Sequence, residues 1–210
     1  RGEAPAVLLG SYSHERVRAA REICEEAGKS TRFMTPPSPG YALMRDAVLS
    51  LSLSEDFVRN LLHWRTSRPH DYPESPLNAF PAEDAAFEGG YPCGAPIRNA
   101  RLGANDYLFD HLGTGFHLIG IGATQAACPG FVATLQAAGE ASPRVRRVVL
   151  TRDPAAWSGL AETVLADPGG HVAARFGAPP GGAYLVRPDL HVAARFRAVT
   201  PEMLRAALAI

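Results

Sequence analysis

The sequence predicts an α/β protein in which a helical N-terminal segment precedes a domain built on a mixed β-sheet. Residues 1–66 show apolar residues at helical spacing and no run typical of a strand. Residues 67–96 are dense in Pro and Gly, which favours an irregular connection with the domain boundary near its end. From residue 97 onward, strand-like apolar runs alternate with helical patterns and end in a hairpin signal. The predicted C-terminal domain therefore spans residues 97–210.

Composition excludes several classes of function. The 210 residues are 46% hydrophobic, and 21 Lys and Arg balance 21 Asp and Glu, so no net charge attracts nucleic acid or an acidic membrane surface. No apolar run approaches the roughly 20 residues that span a bilayer, and the start carries no signal-peptide pattern. The cysteines are odd in number and lack a C-x-x-C pair: Cys24, Cys93 and Cys128. Their spacing fits a reducing compartment, and we expect a cytoplasmic protein.

Three helices are predicted in the N-terminal segment. The first begins at Ser11 or Ser13 and ends before Gly28. Its apolar stripe consists of Val17, Ala20, Cys24 and Ala27. A second helix covers Leu43 to Leu51, and a third is capped by Ser54 and carries the apolar stripe Val58, Leu61 and Leu62. The chain opens with neither a Met nor the strand that usually begins an α/β domain, so we expect it to be part of a longer protein.

The C-terminal domain is predicted to follow the order of a thioredoxin-like fold. The expected elements are a buried strand at Phe116 to Gly122, a helix from Pro129, a strand at 145–153, a helical insert at 155–164, a short helix at 171–176, an antiparallel hairpin at 183–196 and a helix from Pro201. The sheet is therefore expected to be mixed and flanked by helices.

The hexapeptide HVAARF occurs twice, at His171 to Phe176 and at His191 to Phe196. Asp167 and Pro168 before the first copy signal a helix start, and Gly177 after it suits a helix end, so this copy is predicted to be helical. Pro188 and Asp189 suit a turn before the second copy, which is predicted to be a strand. One face would then carry Val192, Ala194 and Phe196, and the other His191, Ala193 and Arg195. Their different flanks argue against a structural repeat.

Gly120 and Gly122 follow a strand and resemble the start of a dinucleotide-binding loop. Gln125 stands where the third glycine of that loop belongs, and Pro129 places the helix start too late. We therefore do not expect nucleotide binding here.

Cys128 is the candidate catalytic residue. Cys-Pro at the start of a helix that follows a strand is where thioredoxin-like enzymes place a reactive thiol. The surroundings resemble peroxiredoxins, which also have a helical insert and a stretch like LADPGGHVAARFGA. Their pattern requires Pro and Thr or Ser where this chain has Ile121 and Gln125. A thioredoxin-type enzyme would need a second cysteine and a cis-proline where this chain has Gly182, so a small buried thiol is the favoured interpretation.

Other polar residues give weaker signals. The seven histidines show no metal-ligand spacing: His14, His63, His70, His111, His117, His171 and His191. Glu15 and Arg16 point about 100° apart on a helix and are interpreted as structural. We therefore expect neither a metal site nor a cofactor-binding site in this chain.

Four stretches, taken in order, resemble the C-terminal part of FAD-dependent aromatic-ring monooxygenases of the 3-(3-hydroxyphenyl)propionate hydroxylase and phenol hydroxylase branch. They are RGEAPAVLLGSYSHERVRAAREICEEAG, YPESPL, ARLGANDYLFDHLGTGFHLIGIG and AYLVRPDLHVAARF. In that family such a segment follows the last FAD-binding motif, and a thioredoxin-like domain without redox cysteines closes the protein. Two positions depart from the pattern, since Gly10 replaces an Asp and Leu190 replaces a turn Gly.

The resemblance implies that the FAD-binding and catalytic motifs lie upstream of Arg1, so the chain alone need not be an enzyme. The parent would use FAD, NAD(P)H and dioxygen to hydroxylate a phenolic ring. This chain would support the FAD-binding domain and supply a docking or oligomer surface. The alternative is a free-standing thioredoxin-like or peroxiredoxin-like thiol redox protein that uses Cys128.

Overall fold

The structure is a computed structural model that describes residues 6–61, 69–80, 84–141 and 145–209. The chain divides into two compact units, residues 1–70 and residues 71–210. Each unit is described separately below.

The first unit is helical in its described residues. Helix α1 spans Ala6–Met34, helix α2 spans Pro39–Leu51, and a 3₁₀ helix spans Asp56–Leu61. Ser38 caps α2 by accepting a hydrogen bond from the Tyr41 amide, and Pro39 occupies the first turn. The predicted second helix is thus present, with an earlier start than Leu43.

The other two helix predictions for this unit need correction. Helix α1 begins before Ser11 and runs through Gly28, which does not take the left-handed conformation that ends helices. It ends just before Pro36, because proline disfavours a helical residue in front of it. Ser54 does not cap a helix, since its hydroxyl donates back to the Leu51 carbonyl, and only a 3₁₀ turn follows. Leu62 of the predicted stripe lies outside the described residues.

A five-stranded mixed sheet forms the centre of the second unit. Its strands are β3 (Phe116–Gly122), β4 (Val145–Thr151), β5 (Thr163–Ala166), β6 (Ala183–Val186) and β7 (Val192–Phe196), in the spatial order β5-β4-β3-β6-β7. β3, β4 and β5 are parallel, whereas β6 is antiparallel to both β3 and β7. A separate hairpin of β1 (Arg101–Gly103) and β2 (Asp106–Tyr107) was not predicted.

Helices cover both faces of this sheet. α3 (Pro129–Ala141) and α5 (Pro201–Leu208) pack on one face, where Phe131 and Leu204 join Leu118 and Leu185 in a core. α4 (His171–Phe176) packs on the other face. The parallel β3-α3-β4 unit, the antiparallel β6-β7 hairpin and the closing helix confirm the predicted thioredoxin-like α/β fold.

The predicted helical insert is mostly not helical. Only Pro154–Trp157 forms a short 3₁₀ helix, capped by Asp153, whose carboxylate accepts from the Ala156 amide. Gly159 then takes a φ of 81°, which ends the turn. The β-branched residues Thr163 and Val164 pair with β4, because the sheet offers their backbone a parallel ladder that an isolated short helix lacks.

The Pro- and Gly-rich stretch belongs to the second unit from residue 71, so the boundary lies near its start rather than its end. Its backbone binds the outer edge of the sheet. The Ala79 amide donates to the Ala193 carbonyl at 2.7 Å, and the Gly94 amide donates to the Val192 carbonyl at 2.8 Å. We call residues 71–80 and 84–96 the edge strap, because they satisfy backbone groups of β7 that would otherwise remain open.

Both copies of HVAARF take the predicted forms, one as α4 and one within β7 and the bridge residue before it. Gly177 takes the left-handed conformation (φ 61°) after α4, and Leu190 takes it (φ 67°) in the turn before β7. The predicted faces of β7 are wrong at one end. A bulge shifts the register there, so Val192 lies in the core under α4 while Ala194 and Phe196 lie in the core under α3.

Candidate functional site

Cys128 lies in the turn between β3 and α3. The preceding 3₁₀ turn, Gln125–Ala127, is capped by the Thr124 hydroxyl, and the Cys128 carbonyl accepts from the Val132 amide to open α3. The thiol is sheltered: the residue is 3% exposed and belongs to the core under α3. A Cβ placed on Gly181 would lie 3.4 Å from the Cys128 Sγ, so the Gly181-Gly182 turn closes over the sulfur.

At the two positions where a peroxiredoxin has Pro and Thr or Ser, neither Ile121 nor Gln125 presents a polar group to this thiol. Ile121 is buried in the core on the opposite face of the sheet from Cys128. The Gln125 side chain donates to the Ala156 carbonyl. Cys128 is also a free thiol in the structure. The arrangement therefore offers a reacting peroxide neither an open approach nor a polarising side chain from these two positions.

Gly120 and Gly122 lie within β3 and make room for aromatic rings. A Cβ on Gly120 would lie 1.8 Å from Phe131 Cζ, and one on Gly122 would lie 2.7 Å from Trp157 Cε2. Phe131 and Trp157 pack against each other, with ring centroids 5.5 Å apart. The two glycines thus make room for aromatic packing inside the core.

An ion pair between the buried Arg195 and the partly buried Asp84, not predicted from the sequence, fixes the edge strap to β7. Arg195 is 5% exposed, and its guanidinium binds the carboxylate of Asp84 and, at 2.6 Å, the carbonyl of Gly89. It also lies 4.5 Å above the centre of the Phe87 ring. The same Asp84 carboxylate accepts from the Cys93 amide at 2.9 Å. Asp84 and Arg195 are 111 positions apart, so no local spacing could have revealed them.

Cys93 is a second buried cysteine and is not a candidate nucleophile. Burial, followed by the neighbouring Asp84 carboxylate, raises the pKa of the Cys93 thiol to about 12. The thiol therefore stays protonated at neutral pH, and only the thiolate is reactive. Cys24 is exposed on α1.

The other polar residues that the sequence singled out do not form a cluster among the described residues. Across the ranges that the structure describes, no group of three or more His, Cys, Asp or Glu side chains could hold a metal ion. His63 lies outside those ranges. Glu15 is buried and Arg16 is exposed, and both have interaction partners. No described helix is long and apolar enough to cross a membrane.

The first unit exposes an apolar surface. Sixteen large hydrophobic side chains of the described residues are exposed, and all but Tyr107 lie between Val7 and Leu61. On α1 the usual pattern is largely inverted, because two of its three buried residues, Ser11 and Glu15, are polar, whereas the predicted apolar residue Val17 is 46% exposed; the third buried residue is Ala19. The most exposed members are Leu9 (71%), Met34 (75%), Leu43 (73%) and Leu53 (87%). We call these exposed residues of α1, α2 and the following turn the apolar surface.

No protein-family model and no curated protein matches the chain. Among solved structures, RebC-10x with bound 7-carboxy-K252c matches with a TM-score of 0.62 and 22% identity, over 99% of this chain and 37% of that chain. The rebeccamycin biosynthetic enzyme RebC with reduced flavin matches with a TM-score of 0.60 and 22% identity, over 99% of this chain and 36% of that chain. The flavin-dependent monooxygenase PieE, in complex with FAD and substrate, matches with a TM-score of 0.57 and 21% identity, over 98% of this chain and 40% of that chain. At these identities the likeness shows the fold, and the chain spans little more than a third of those proteins.

Proposed function

We propose that this chain is the C-terminal, non-catalytic part of an FAD-dependent aromatic hydroxylase. The parent would bind FAD and NAD(P)H in an upstream domain and hydroxylate a phenolic substrate. In this chain the helices of the first unit would pack against that upstream domain, and the thioredoxin-like unit would serve structure, docking or oligomerisation. Neither unit would take part in the chemistry.

The inverted burial of α1 carries this proposal. Burying apolar side chains and exposing polar ones is the main stabilising pattern of a soluble helix, so a helix that buries Glu15 and exposes Leu9 and Tyr12 is incomplete by itself. Large exposed apolar patches on soluble proteins mark interaction sites. A neighbouring domain that covers this side of α1 and the exposed face of α2 would restore the normal pattern.

The comparisons favour an FAD-binding domain as the proposed neighbour. RebC with reduced flavin and PieE with FAD match this chain over nearly its whole length, and most of each of those proteins lies outside the match. The sequence stretches that resemble aromatic-ring monooxygenases also come from both units. An FAD-binding domain is therefore the partner that we propose for the apolar surface.

The thiol redox alternative has less support. A peroxide-reducing cysteine must be accessible and must have a polar partner for the peroxide. Cys128 is 3% exposed and lies beneath the Gly181-Gly182 turn. Its burial favours a structural role.

The first test is the coding sequence upstream of Arg1, which should encode an FAD-binding domain. The physical test compares Leu9→Glu and Tyr12→Glu with the control Tyr107→Glu, which changes an exposed aromatic residue of the other unit. In the isolated chain, all three changes should alter the free energy of unfolding by no more than about 0.5 kcal/mol, because the side chains are exposed.

In the complete protein, the two α1 changes should lower the flavin content and NAD(P)H-dependent hydroxylation, whereas Tyr107→Glu should leave both unchanged. Flavin absorbance and substrate hydroxylation measure these outcomes. Full flavin content and activity in both α1 variants would refute the proposed packing.

A further inference from the structure

His117 of β3 is completely buried and uses one ring nitrogen as an acceptor. Its Nε2 accepts a hydrogen bond of 3.0 Å from the backbone amide of Gly113, in the turn that leads into β3. An amide N–H can only donate, so Nε2 must be unprotonated and a neutral ring carries its proton on Nδ1. Nδ1 is itself buried and has no hydrogen-bond partner in the structure. The ring is therefore held by a single bond that requires its neutral form.

Charged and apolar neighbours surround this ring. Arg146 on β4 lies opposite His117 in the β3–β4 pairing. A Cβ on Gly113 would lie 2.9 Å from Arg146 Nη1, so the Arg146 guanidinium lies against the same turn. On the other side, the partner residue on β6 is the apolar Val186, and the guanidinium of the following Arg187 binds Asp189. Burial and, second, the charge of Arg146 lower the pKa of His117.

The Gly113 turn anchors a segment that covers one face of the sheet. This cover segment, residues 97–112, includes the β1-β2 hairpin and the 3₁₀ helix Leu108–His111. Ile97, Ala100 and Leu108 are buried in the core that α4 also covers. The Leu108 amide donates to the Ala100 carbonyl at 2.8 Å, which closes the segment on itself.

We propose that His117 is a proton-sensitive latch, which holds the cover segment closed while its ring is neutral and releases it when the ring takes up a proton. A proton on Nε2 would place two donors, the imidazolium N–H and the Gly113 N–H, against each other. It would also bring a second positive charge beside Arg146 in a buried site. Opening of the turn relieves both, because the ring and the amide then reach water.

The other titratable side chains of the cover segment do not share this property. The His111 ring contacts the Asp106 carboxylate, Asp110 accepts from the Tyr107 amide, and the Arg101 carbonyl contacts the ring of His171 on α4. The histidines here face oxygen acceptors, so a protonated ring keeps its bond. Among these described rings, His117 is therefore the one whose bond to the segment is lost when it takes up a proton.

The direction of the pH dependence follows from the linkage between proton binding and opening of the segment. The closed segment binds the His117 proton less tightly than the open one, so the closed state is fully favoured above the ordinary histidine pKa of about 6.5. Below that pH, opening takes up one proton, and its equilibrium constant should rise about tenfold per pH unit until the closed state also titrates. The closed segment is thus lost on the acid side only.

Amide hydrogen exchange of the 210-residue chain, measured by NMR from about pH 7.5 to about pH 5, tests the latch. After correction for intrinsic exchange, the protection of Gly113 and Leu108 should fall about tenfold per pH unit below 6.5, while the Val149 amide of β4 should change less. Nitrogen chemical shifts of the ring should show Nδ1 protonated and Nε2 free at pH 7.5.

Two variants sharpen the test. His117→Gln keeps an acceptor oxygen near the position of Nε2 and does not titrate, so the pH dependence of Gly113 protection should disappear. Arg146→Gln removes the neighbouring charge, so the closed state should titrate at a higher pH and the total loss of protection should be smaller.

Three results would overturn the latch: constant Gly113 protection across this range, an equal fall for Val149, or a ring protonated on Nε2 at pH 7.5. The last is read from the unaltered chain, so it decides the question even if His117→Gln does not fold.

Discussion

At the scale of single residues, the packing of aromatic rings on β3 depends on the absence of two side chains. Gly120 and Gly122 let Phe131 and Trp157 lie directly on the strand backbone, and the Trp157 indole N–H donates to the Ala123 carbonyl at 3.1 Å. Protein cores are packed as densely as organic crystals, so even a methyl group at these positions has no free volume to occupy.

Gly120→Ala should therefore lower the free energy of unfolding by about 3 kcal/mol, because the Phe131 ring must move to make room. Gly10→Ala is the matched control. No atom lies within 4 Å of a Cβ placed at Gly10 on α1, so this change should be neutral or stabilise the helix by up to about 1 kcal/mol. Urea denaturation measures both, and equal stability of the two variants would contradict the packing role.

For Cys128, we expect no rate enhancement with hydrogen peroxide over free cysteine, since the thiol is buried beside Gly181. Cys128→Ser should cost about 1 kcal/mol of stability, because a hydroxyl enters a largely apolar site. In the proposed parent protein, it should leave flavin reduction and ring hydroxylation nearly unchanged. Stopped-flow peroxide kinetics check the first point; a rate constant several orders of magnitude above that of free thiol, abolished by Cys128→Ser, would make this unit an enzyme.

At the scale of elements, the edge strap replaces a further strand at the β7 side of the sheet. The Ala79 and Gly94 amides donate to carbonyls of β7, the Val192 amide donates back to the Ala95 carbonyl, and the Arg195–Asp84 pair locks the strap in place. A buried ion pair contributes little relative to a well-packed apolar pair, but the loss of one partner leaves an uncompensated charge.

Asp84→Ala should therefore destabilise the second unit by about 3 kcal/mol, because it leaves the Arg195 guanidinium buried without its carboxylate. The double variant Asp84→Leu with Arg195→Met should recover much of this loss. Arg205→Met is the control, since Arg205 pairs with Glu202 at the surface and its loss should cost under about 1 kcal/mol. Thermal unfolding of all three variants checks this; a double variant no more stable than Asp84→Ala would argue against the ion pair as the cause.

Elements whose ends are set by local chemistry could be predicted from the sequence. Gly170 occupies the N-cap position of α4, and the Asp167 carboxylate accepts from the Val172 and Ala173 amides of its first turn at 3.0 and 2.8 Å. Thr200 is the N-cap of α5, and its hydroxyl accepts from the Met203 amide. The bulge in β7 and the conversion of the helical insert into β5 were not predictable, because both depend on pairing with distant strands. The edge strap was missed for the same reason, since an irregular backbone becomes ordered only against the edge that it binds.

At the scale of the whole molecule, the two units differ in how well each buries its own apolar residues. The second unit has two cores with many fully buried side chains, whereas the first unit leaves the apolar surface in solvent. The sequence identifies the Cys128 thiol as a candidate. It does not reveal that the Gly181-Gly182 turn shelters the thiol, because that turn is more than fifty residues away in the chain. Of the residues in the predicted helix stripes, Val17 and Leu61 belong to the apolar surface, whereas Val58 is buried.

The chain purified alone should be colourless, because the flavin-binding motifs of the proposed parent lie outside it. Its α1 and α2 amides should exchange faster than those of the β6-β7 hairpin, since local stability follows buried apolar contact. Absorbance near the flavin bands and hydrogen exchange detected by mass spectrometry measure these outcomes. Stoichiometric flavin, or protection of Ser11 to Leu61 equal to that of the hairpin in a monomer, would count against the fragment proposal.

The two copies of HVAARF also bear on the ancestry of this chain. In α4 the second and sixth letters, Val172 and Phe176, are buried because they are one helical turn apart. In β7 the same letters, Val192 and Phe196, are buried because the bulge turns them toward opposite cores. Small alanines fit between them in either case. The same hexapeptide thus meets two different sets of burial constraints, so its recurrence is no evidence of gene duplication.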